Sequence, residues 1–358
     1  MAWQIWLLSA AFVAISFSTA LIACRIVMKI GVVDAPDGAR KTQSVAVPRL
    51  GGVAIFVGAL LGGGLGLVVL ALAYGINPAQ IIAIHAQEII AGDTRLGLAL
   101  GFASIAFLIG LWDDIWSANT KLKLLILAAA CVAVATLGLT PEALSTPWGD
   151  LAAPGLLIAG SALWLLVFTN AANFMDGSNG LAIGSTAIML AGLALTGIVA
   201  GAFVFSVWWF PVFGAMLGFL MHNLRGALYA GDAGALGLGA LFAALGLMSG
   251  LDIWTIATFS LPFLIDVLLT LVWRAKHGRN WLVAHLDHAY QRLLADGWSH
   301  FETALLYWGL SATAGVLAYI GAQAGGAAPF LIFWTLTSAS TVIWILHRRS
   351  TKRHDLPN

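Results

Sequence analysis

The hydrophobic pattern of this chain is a series of long apolar windows separated by short polar segments. Eleven windows have about 20 mostly apolar residues, the length that a helix needs to cross a bilayer. They lie near residues 3–23, 51–74, 96–112, 122–140, 153–172, 181–201, 204–221, 235–250, 253–273, 302–323 and 327–346. The pattern predicts an all-α, polytopic integral membrane protein with about 11 transmembrane helices.

Composition supports this class and excludes a soluble globular protein. Hydrophobic residues make up 60% of the 358 positions, charged residues 9%, and the mean hydropathy is +0.93. The formal net charge of +1 indicates no partner by itself. The apolar composition makes the lipid bilayer the expected partner, and we expect no nucleic acid. Cys24 and Cys131 both lie in apolar windows, which favours packing over a disulfide or a metal site. We treat 1–358 as a single membrane-embedded domain whose first segment is retained.

The positive residues predict the orientation of the chain. If successive connections alternate between the two sides, sixteen of the seventeen Lys and Arg residues fall on one side, and only Arg95 falls on the other. The positive-inside rule makes the basic side cytoplasmic, with the N-terminus periplasmic and the C-terminus cytoplasmic. An even number of windows would destroy this asymmetry, which supports the count of eleven.

Polar side chains concentrate in the segments predicted to be cytoplasmic. These segments lie near 31–50, 112–123, 170–180, 222–234 and 274–300. The segments on the other side hold only scattered acids. One active site assembled from five cytoplasmic segments is the simplest interpretation.

Asp113 and Asp114 are the first candidates for chemistry, because they are adjacent carboxylates at the end of an apolar window. Such a pair could hold a divalent cation against a phosphate, and a cation would relieve their mutual repulsion. A solvated helix end followed by a basic turn is the structural alternative. Asp232, between Gly231 and Gly234, offers a third acid at a place where backbone and a phosphate could approach closely.

Amide and acid side chains crowd the segment 170–180. Asn170, Asn173, Asp176 and Asn179 lie there beside glycines. Ordinary turn chemistry uses one or two such residues. Four of them at a membrane surface favour recognition of a polar ligand with several hydrogen-bonding edges.

Basic and imidazole side chains supply candidate phosphate contacts. Lys41 and Arg49 precede a glycine-rich helix start, although basic residues are also what the topology alone demands there. His285 and His288 are three residues apart, with Arg292 following. No cysteine accompanies the two histidines, so phosphate contact is preferred to a transition-metal site. Asp266, inside the ninth window, could simply pair with a basic residue, and we leave it out of the predicted site.

Together these segments resemble the polyprenyl-phosphate N-acetylhexosamine-1-phosphate transferases. The matching stretches are DAPDGARKTQSVAVPRLGG, GLWDDIWSANTKLK, NAANFMDGSNGLA, AGDAGALGLG and HLDHAYQRL, in the family's order from Asp34 to Leu293. The His-x-x-His-x-Tyr-Gln-Arg form is more similar to the branch that initiates O-antigen and common antigen than to the peptidoglycan branch. The family normally has Asp where this chain has Asn179, so we expect altered nucleotide affinity or preference.

The resemblance implies that a polyprenyl (undecaprenyl) phosphate attacks the β-phosphate of a UDP-N-acetylhexosamine and releases UMP. It implies dependence on Mg²⁺, with Mn²⁺ as an alternative, held by Asp113, Asp114 and Asp232. The implied catalytic residues are Asp113, Asp114, Asp176, His285 and His288. The implied substrate-binding residues are Lys41, Arg49, Asn170, Asn173, Asn179 and Arg292. The implied location is the bacterial inner (cytoplasmic) membrane, with the active site on the cytoplasmic face and a homodimer as one possible assembly.

An ion-coupled secondary transporter is the competing hypothesis. It predicts charged or broken-helix sites near the membrane midplane together with an internal repeat. In this chain the acids gather at the ends of the apolar windows, and no convincing repeat is present. The direct or covalent course of the transfer and the identity of the sugar stay open.

Overall fold

The computed structural model describes residues 2–36, 45–75, 94–200, 203–280 and 285–350. In this part of the chain, thirteen helices accompany one two-residue strand pair, β1 (Val33–Asp34) and β2 (Val47–Pro48). The helices are α1 (Ala2–Val27), α2 (Gly51–Tyr74), α3 (Thr94–Trp116), α4 (Thr120–Thr136), α5 (Pro154–Phe174), α6 (Leu181–Val199), α7 (Phe203–Asn223), α8 (Gly231–Met248), α9 (Ile253–Phe259), α10 (Leu261–Lys276), α11 (Ala289–Ala295), α12 (His300–Ala324) and α13 (Ala328–Ser350). The predicted all-α polytopic class is confirmed.

Each of the eleven apolar windows corresponds to a helix or to a pair of helices. Among the described residues, eight helices are long and apolar enough to cross a membrane, and a bent pair raises that number to nine. The two remaining windows form α4, which has 17 residues, and α7, which has 21. Hydropathy alone therefore predicted where the helices lie, to within a few residues at each end.

The ninth window differs from the prediction, because it is not one straight span. It forms α9 and α10, which meet at an angle of 80°. Pro262, in the first turn of α10, lacks a backbone N–H, and its ring would collide with the carbonyl of residue 258 in a continuous helix. The new helix starts instead at Leu261, after Ser260, whose carbonyl accepts the backbone N–H groups of Phe263 and Leu264 at 3.1 Å.

Helix α8 lies at the centre of the bundle. It packs against α2, α3, α5 and α6, and 89% of its span is buried. Small residues allow these close contacts: a Cβ on Gly52 would collide with the backbone of Gly234, and one on Gly239 would collide with Ala172. The start of α8 is therefore held firmly among its neighbours.

The polar segments meet at the end of the bundle where α8 begins. The carbonyl of Pro48 accepts the N–H of Tyr229 at 2.8 Å, and the carbonyl of Tyr229 accepts the N–H of Gly51 at 2.9 Å. At the other end of α8, Arg95 donates to the carbonyls of Leu247 at 2.8 Å and Thr140 at 3.0 Å. The one basic residue assigned to the opposite side thus lies at the opposite end of the central helix.

Candidate active site

Asp114 anchors the start of the central helix. Its Oδ1 accepts the backbone N–H of Asp232 at 3.0 Å, and its Oδ2 accepts that of Ala233 at 3.0 Å. Only 2% of the side chain is exposed. The first N–H groups of a helix lack intrahelical partners and carry partial positive charge, so a buried carboxylate is a strong cap there. Asp114 therefore fixes α8 against α3.

Glycine is required at two positions of this junction. Gly231 has a φ of +70°, and a Cβ there would meet the carbonyl of Arg49 and the carboxylate of Asp114. A Cβ on Gly110 would meet the backbone of Asp232 and Ala233. The carboxylate of Asp114 can reach both N–H groups because the two backbones approach this closely.

Arg49 holds the other side of the same junction. Its Nε donates to the carbonyl of Asp114 at 3.0 Å, and its Nη2 donates to the carbonyls of Asp113, at 3.0 Å, and Asp114. Its Nη1 lies 3.8 Å from Asp34 Oδ1. A guanidinium at the end of α3 adds hydrogen bonds to the last carbonyls of the helix, of which that of Asp113 also accepts the N–H of Ser117 at 2.9 Å. Arg49 thus positions the two acids, and its predicted phosphate contact stays a prediction.

Asp113 and Asp232 share one ammonium group, that of Lys123. Lys123 Nζ lies 3.0 Å from Asp113 Oδ2 and 2.8 Å from Asp232 Oδ2, and Asn173 Nδ2 donates to Asp232 Oδ1 at 3.1 Å. Asp113 and Asp232 are 20% and 28% exposed, so both face accessible space, unlike Asp114. The ammonium group of Lys123 therefore lies between two of the three acids that the family resemblance assigned to a metal.

Lys123 is a site residue that the sequence analysis did not single out. It lies nine residues after Asp114 in the chain, and the sequence analysis treats it as part of a basic turn. Asn119 caps α4 by accepting the N–H groups of Lys121 at 3.0 Å and Leu122 at 3.2 Å, which orients the first turn that carries Lys123. The signal in the sequence was a lysine placed in the first helical turn, where the helix dipole does not favour positive charge.

The turn after α5 carries Asp176 toward the same acids. Its partial burial, together with repulsion from Asp232 and Asp114, raises the pKa of the Asp176 carboxyl well above its ordinary value. The folded protein therefore holds a proton on Asp176 in a range of pH where the unfolded chain has released it.

We expect Asp176→Asn to stabilise the metal-free protein more at pH 8 than at pH 5. With a raised folded-state pKa, stability falls as pH rises from the ordinary Asp value of about 4 toward the raised value. An amide does not titrate and escapes this loss. Melting temperatures in EDTA at both pH values, with exposed Asp150→Asn as the control, measure the effect. An equal difference between variant and wild type at the two pH values would refute this assignment.

Neighbouring elements hold the turn at 175–180 in place. Asn223, which is buried, accepts the N–H of Gly180 at 2.6 Å and donates to the carbonyl of Leu228 at 2.9 Å. Ser178 Oγ lies 2.9 Å from His300 Nδ1, and Trp308 Nε1 donates to the carbonyl of Gly180 at 2.9 Å. The turn is thus pinned to the loop before α8 and to α12, which pre-organises its polar groups.

The remaining amides of this segment have different surroundings. Asn170 Nδ2 donates to the carbonyl of Leu166 at 2.7 Å, within its own helix. Asn179 is partly buried, and its Nδ2 lies beside Gly226, 3.1 Å from where a Cβ would stand. Asn173 is the amide that the structure brings to the carboxylates.

Asp266 anchors the segment that carries the two histidines. From inside α10, its Oδ1 accepts the N–H of Ala289 at 2.7 Å, and its Oδ2 accepts that of Tyr290 at 3.2 Å. Tyr307 donates its hydroxyl to Oδ2 at 2.6 Å, and His288 Nδ1 lies 3.4 Å from Oδ1. Asp266, left out of the predicted site, is thus a buried cap of α11 that orients His288.

The histidine segment, 285–288, packs against the turn after α5. Tyr290, fully buried, donates its hydroxyl to the carbonyl of Phe174 at 2.9 Å, and the ring of His288 lies 5.9 Å from that of Phe174. The rings of His285 and His288 are 4.9 Å apart. Arg292 is buried one turn later in α11. The imidazoles therefore lie beside the end of α5 and the turn after it, which carry Asn173 and Asp176.

His285 is a neutral hydrogen-bond donor at physiological pH. Burial, followed by the charges of His288 and Arg274, lowers the pKa of the His285 imidazole to about 4. The N–H of Asp287 donates to His285 Nδ1 at 3.3 Å, so the ring proton is on Nε2. An Nε2–H group of this kind can donate to a phosphate oxygen without changing its protonation.

The described residues do not contain three His, Cys, Asp or Glu side chains grouped as a metal site. Asp114, one of the three predicted ligands, uses both oxygens on the backbone of α8. Asp113, Asp232 and the amide of Asn173 form an oxygen-rich set beside the ammonium group of Lys123. Mg²⁺ is usually bound by one or two carboxylates with waters and substrate phosphates, and this donor set fits that pattern.

The structure brings most predicted site residues to one end of the bundle. Asp113, Asp114 and Asp232 meet directly, Asn173 and Asp176 approach them, and the histidines lie on the adjoining segment. Lys41 lies outside the described residues.

Comparison with known proteins gives consistent matches. Residues 96–250 match the model of glycosyl transferase family 4. A probable undecaprenyl-phosphate N-acetylglucosaminyl 1-phosphate transferase of Bacillus subtilis is 29% identical over 298 residues, covering 79% of this chain and 75% of its own length. A decaprenyl-phosphate N-acetylglucosaminephosphotransferase of Mycobacterium tuberculosis is 28% identical, covering 85% and 77%. A phospho-N-acetylmuramoyl-pentapeptide-transferase of Synechococcus is 32% identical, covering 60% and 68%.

Proposed function

Because this chain belongs to the polyprenyl-phosphate N-acetylhexosamine-1-phosphate transferases of glycosyl transferase family 4, we propose that the carboxylate pair sharing Lys123 is its reaction centre. The protein is a multi-pass membrane enzyme that transfers an N-acetylhexosamine-1-phosphate from a UDP-sugar to a polyprenyl phosphate. UMP is the second product of that transfer.

One observation carries the proposed location of the chemistry. Asp113 and Asp232 come from different helices, face accessible space and are held together by a cation, Lys123 Nζ. Two carboxylates this close repel each other unless a cation lies beside them, and a divalent metal that also binds substrate phosphates can take that role. Lys123 would then turn its ammonium group to the phosphates.

We assign Mg²⁺, with Mn²⁺ as a substitute, to Asp113 and Asp232, with Asn173 orienting Asp232 through its NH₂ group. When bound, such a cation offsets the repulsion between two anionic substrates and the charge that develops on the UMP leaving group. The family resemblance implies Asp114 as a third metal ligand. Its oxygens are taken up by the backbone of α8, so we assign it the task of holding Asp232 in register.

The transfer itself needs little from a general base. An oxygen of the acceptor phosphate forms a bond to the β-phosphorus of the UDP-sugar, and the bond from that phosphorus to the bridging oxygen breaks, releasing UMP. A phosphate monoester has a second pKa near 6, so the acceptor is largely ionised at neutral pH. Positioning and charge stabilisation are therefore the main tasks of the protein.

Two further segments would hold the substrates. Asn173, Asp176 and Asn179 would line the nucleotide pocket, where Asn179 offers uracil an amide in place of the carboxylate usual in the family. His285 Nε2 would donate to a phosphate oxygen, with His288 and Arg292 behind it. Neutral imidazole is suited to this contact, because its proton stays on the ring through the reaction.

The finer setting of the enzyme is part of the same proposal. Undecaprenyl phosphate in the bacterial inner membrane would be the acceptor, with the site on the cytoplasmic face where the positive residues lie. The whole of 1–358 would form one transferase domain, and a homodimer stays a prediction. The similarity to N-acetylglucosaminyl transferases makes UDP-GlcNAc the first donor to test, and O-antigen initiation the first pathway.

The transporter hypothesis finds no support. The candidate acids lie at one end of the bundle, whereas a coupled transporter needs its ion sites near the midplane. The bend between α9 and α10 is a broken helix, yet the buried acid beside it, Asp266, is satisfied by backbone N–H groups and by Tyr307.

Purified protein should release UMP and form a lipid-linked sugar phosphate from UDP-GlcNAc, undecaprenyl phosphate and Mg²⁺. EDTA should abolish the release, and Mg²⁺ or Mn²⁺ should restore it, because the substrates' charges are then offset again. A panel with UDP-GalNAc and other UDP-N-acetylhexosamines identifies the sugar. Absence of both products across that panel, with folded protein and an active positive-control enzyme, would overturn the proposal.

A further inference from the structure

The last helix of the described chain reaches the histidine segment through one buried side chain. Arg348, near the end of α13, donates from Nη1 to the carbonyl of Asp287 at 2.9 Å. Its Nη2 lies 3.8 Å from Asp287 Oδ1, and the side chain is 8% exposed. Asp287 stands between His285 and His288, so this contact fixes the backbone at the middle of the pair.

Two tryptophans hold the guanidinium of Arg348. Its Cζ lies 3.5 Å from the ring centre of Trp273 in α10 and 5.2 Å from that of Trp344 in α13. Stacking of a planar guanidinium on aromatic faces leaves its N–H groups free to donate in the plane. Arg348 is therefore pre-organised to donate to Asp287, which distinguishes it from a surface arginine in an adjustable ion pair.

Asp287 is tied to α10 as well. Arg274, which is buried, pairs with Asp287 Oδ2 and donates to the carbonyl of Asn280 at 2.7 Å, and Arg279 lies 3.4 Å from Asp287 Oδ1. The histidine segment is thus held by ion pairs from Arg274 of α10 and from Arg279 just after it, and by a hydrogen bond from the side chain of Arg348 in α13 to a backbone carbonyl. On its other side, Asp266 holds the N–H groups of Ala289 and Tyr290.

The rest of α13 has few buried contacts. Only 6% of its span is buried among the described residues, and Arg348 and Pro329 are its buried members. The family model ends at residue 250, and the matching stretches of sequence end at Leu293. The contact of Arg348 with Asp287 therefore joins α13, which lies beyond these matching stretches, to the candidate active site.

We propose that Arg348 is a positioning residue for His285 and His288, and that α13 acts as a brace that sets the histidine segment for phosphate contact. The brace acts through the carbonyl of Asp287. Its kinetic consequence rests on the proposed transferase function, whereas its structural consequence does not. A displacement of about 1 Å of a group that contacts phosphate is enough to cost a large factor in rate.

Two readouts on the full-length protein test this role. In hydrogen exchange followed by mass spectrometry, Arg348→Gln should speed exchange of the peptide 285–295 at least about threefold, because a local anchor is lost. Arg349→Gln is the matched control, since Arg349 is the adjacent, exposed arginine and carries the same charge. Unchanged exchange in Arg348→Gln would overturn the proposal, whether or not the donor of the enzyme is known.

The kinetic readout separates positioning from general destabilisation. Arg348→Gln should lower kcat for UMP release at least about tenfold with a smaller change in KM, and Arg349→Gln should match wild type. In the double variant with His285→Gln, the combined loss should be smaller than the product of the two single losses, because Arg348 acts in part through His285. Losses that multiply, or a kcat of Arg348→Gln within twofold of wild type, would contradict the role.

A conservative variant covers a failure of folding. Arg348→Lys keeps the charge but not the stacked, planar donor, so its kcat should fall between those of wild type and Arg348→Gln. If Arg348→Gln does not fold, Arg348→Lys decides the question: faster exchange of the peptide 285–295 and a kcat below that of wild type support the brace, and wild-type values of both overturn it. If wild-type protein releases no UMP, the proposed function fails. The comparison of hydrogen exchange then still tests whether Arg348 braces the histidine segment.

Discussion

Asp113→Asn and Asp232→Asn should each lower the rate of UMP release by about 10³-fold with the fold intact. Each change removes one of the two charges that would hold the metal, and the loss of several kcal/mol of charge stabilisation corresponds to that factor. Both side chains are partly exposed, and an asparagine at either position keeps one oxygen to accept from Lys123. At position 232 the new NH₂ would face Asn173, whose amide can turn its oxygen toward it, so we expect the fold to tolerate both changes. The measurement is UMP release under saturating donor and acceptor, beside a melting curve.

The control for this experiment is Asp150→Asn. Asp150 is an exposed acid that precedes α5, whereas the candidate site follows the end of the same helix. This variant should keep wild-type kcat. Full activity in either Asp113→Asn or Asp232→Asn would remove the carboxylate pair from the chemistry.

Asp114→Asn should lower the free energy of unfolding by about 1–3 kcal/mol, the cost of leaving a buried donor unsatisfied. The carboxylate accepts two N–H groups of α8, whereas an amide has one oxygen, and its NH₂ would face the N–H of Asp232 or Ala233. The adjacent substitution, Asp113→Asn, is the matched comparison and should cost much less stability. Chemical denaturation in detergent measures the difference.

The same pair of variants separates their tasks in catalysis. Asp114→Asn should lose activity in step with its loss of structure, and milder temperature should recover part of it, because Asp114 acts by holding Asp232. Asp113→Asn should stay inactive at every temperature. If Asp114→Asn were as stable as wild type and had lost its metal affinity, Asp114 would be the ligand and the assignment would be reversed.

The positions of the helices along the chain could be predicted from the sequence, because the bilayer imposes one dominant requirement on each segment. Spanning length and apolar composition specified all eleven windows, and alternating connections brought the five polar segments to one end. The bend at Pro262 was not predicted, because an average hydropathy does not register that proline lacks a backbone N–H group. The physical signal was present in the proline itself.

The division of labour inside the site could not be predicted. Asp113 and Asp114 are chemically identical neighbours, and their tasks diverge only because the backbone at Gly110 lets α8 approach and present its N–H groups to Asp114. The role of Asp266 could not be predicted either, because the N–H groups that it caps lie 23 and 24 residues later in the chain. Contacts of this kind depend on tertiary packing, which residue type and spacing do not encode.

Arg49 illustrates the limit for charged residues. A basic residue before a glycine-rich helix start suits a phosphate, and it suits the carbonyl end of a helix equally well. The structure gives its guanidinium the carbonyls of Asp113 and Asp114. Lys123, by contrast, belongs to what the sequence analysis treats as a basic turn, and it lies between two partly exposed acids.

The most direct test of the reaction centre is Mn²⁺ binding, followed by electron paramagnetic resonance of purified protein with UDP-GlcNAc present. Wild type and Asp150→Asn should bind Mn²⁺ with equal affinity, and Asp113→Asn and Asp232→Asn should each bind it at least about tenfold more weakly. Wild-type Mn²⁺ affinity in Asp232→Asn would contradict the account, because the carboxylate that shares Lys123 with Asp113 would then not be part of the metal site.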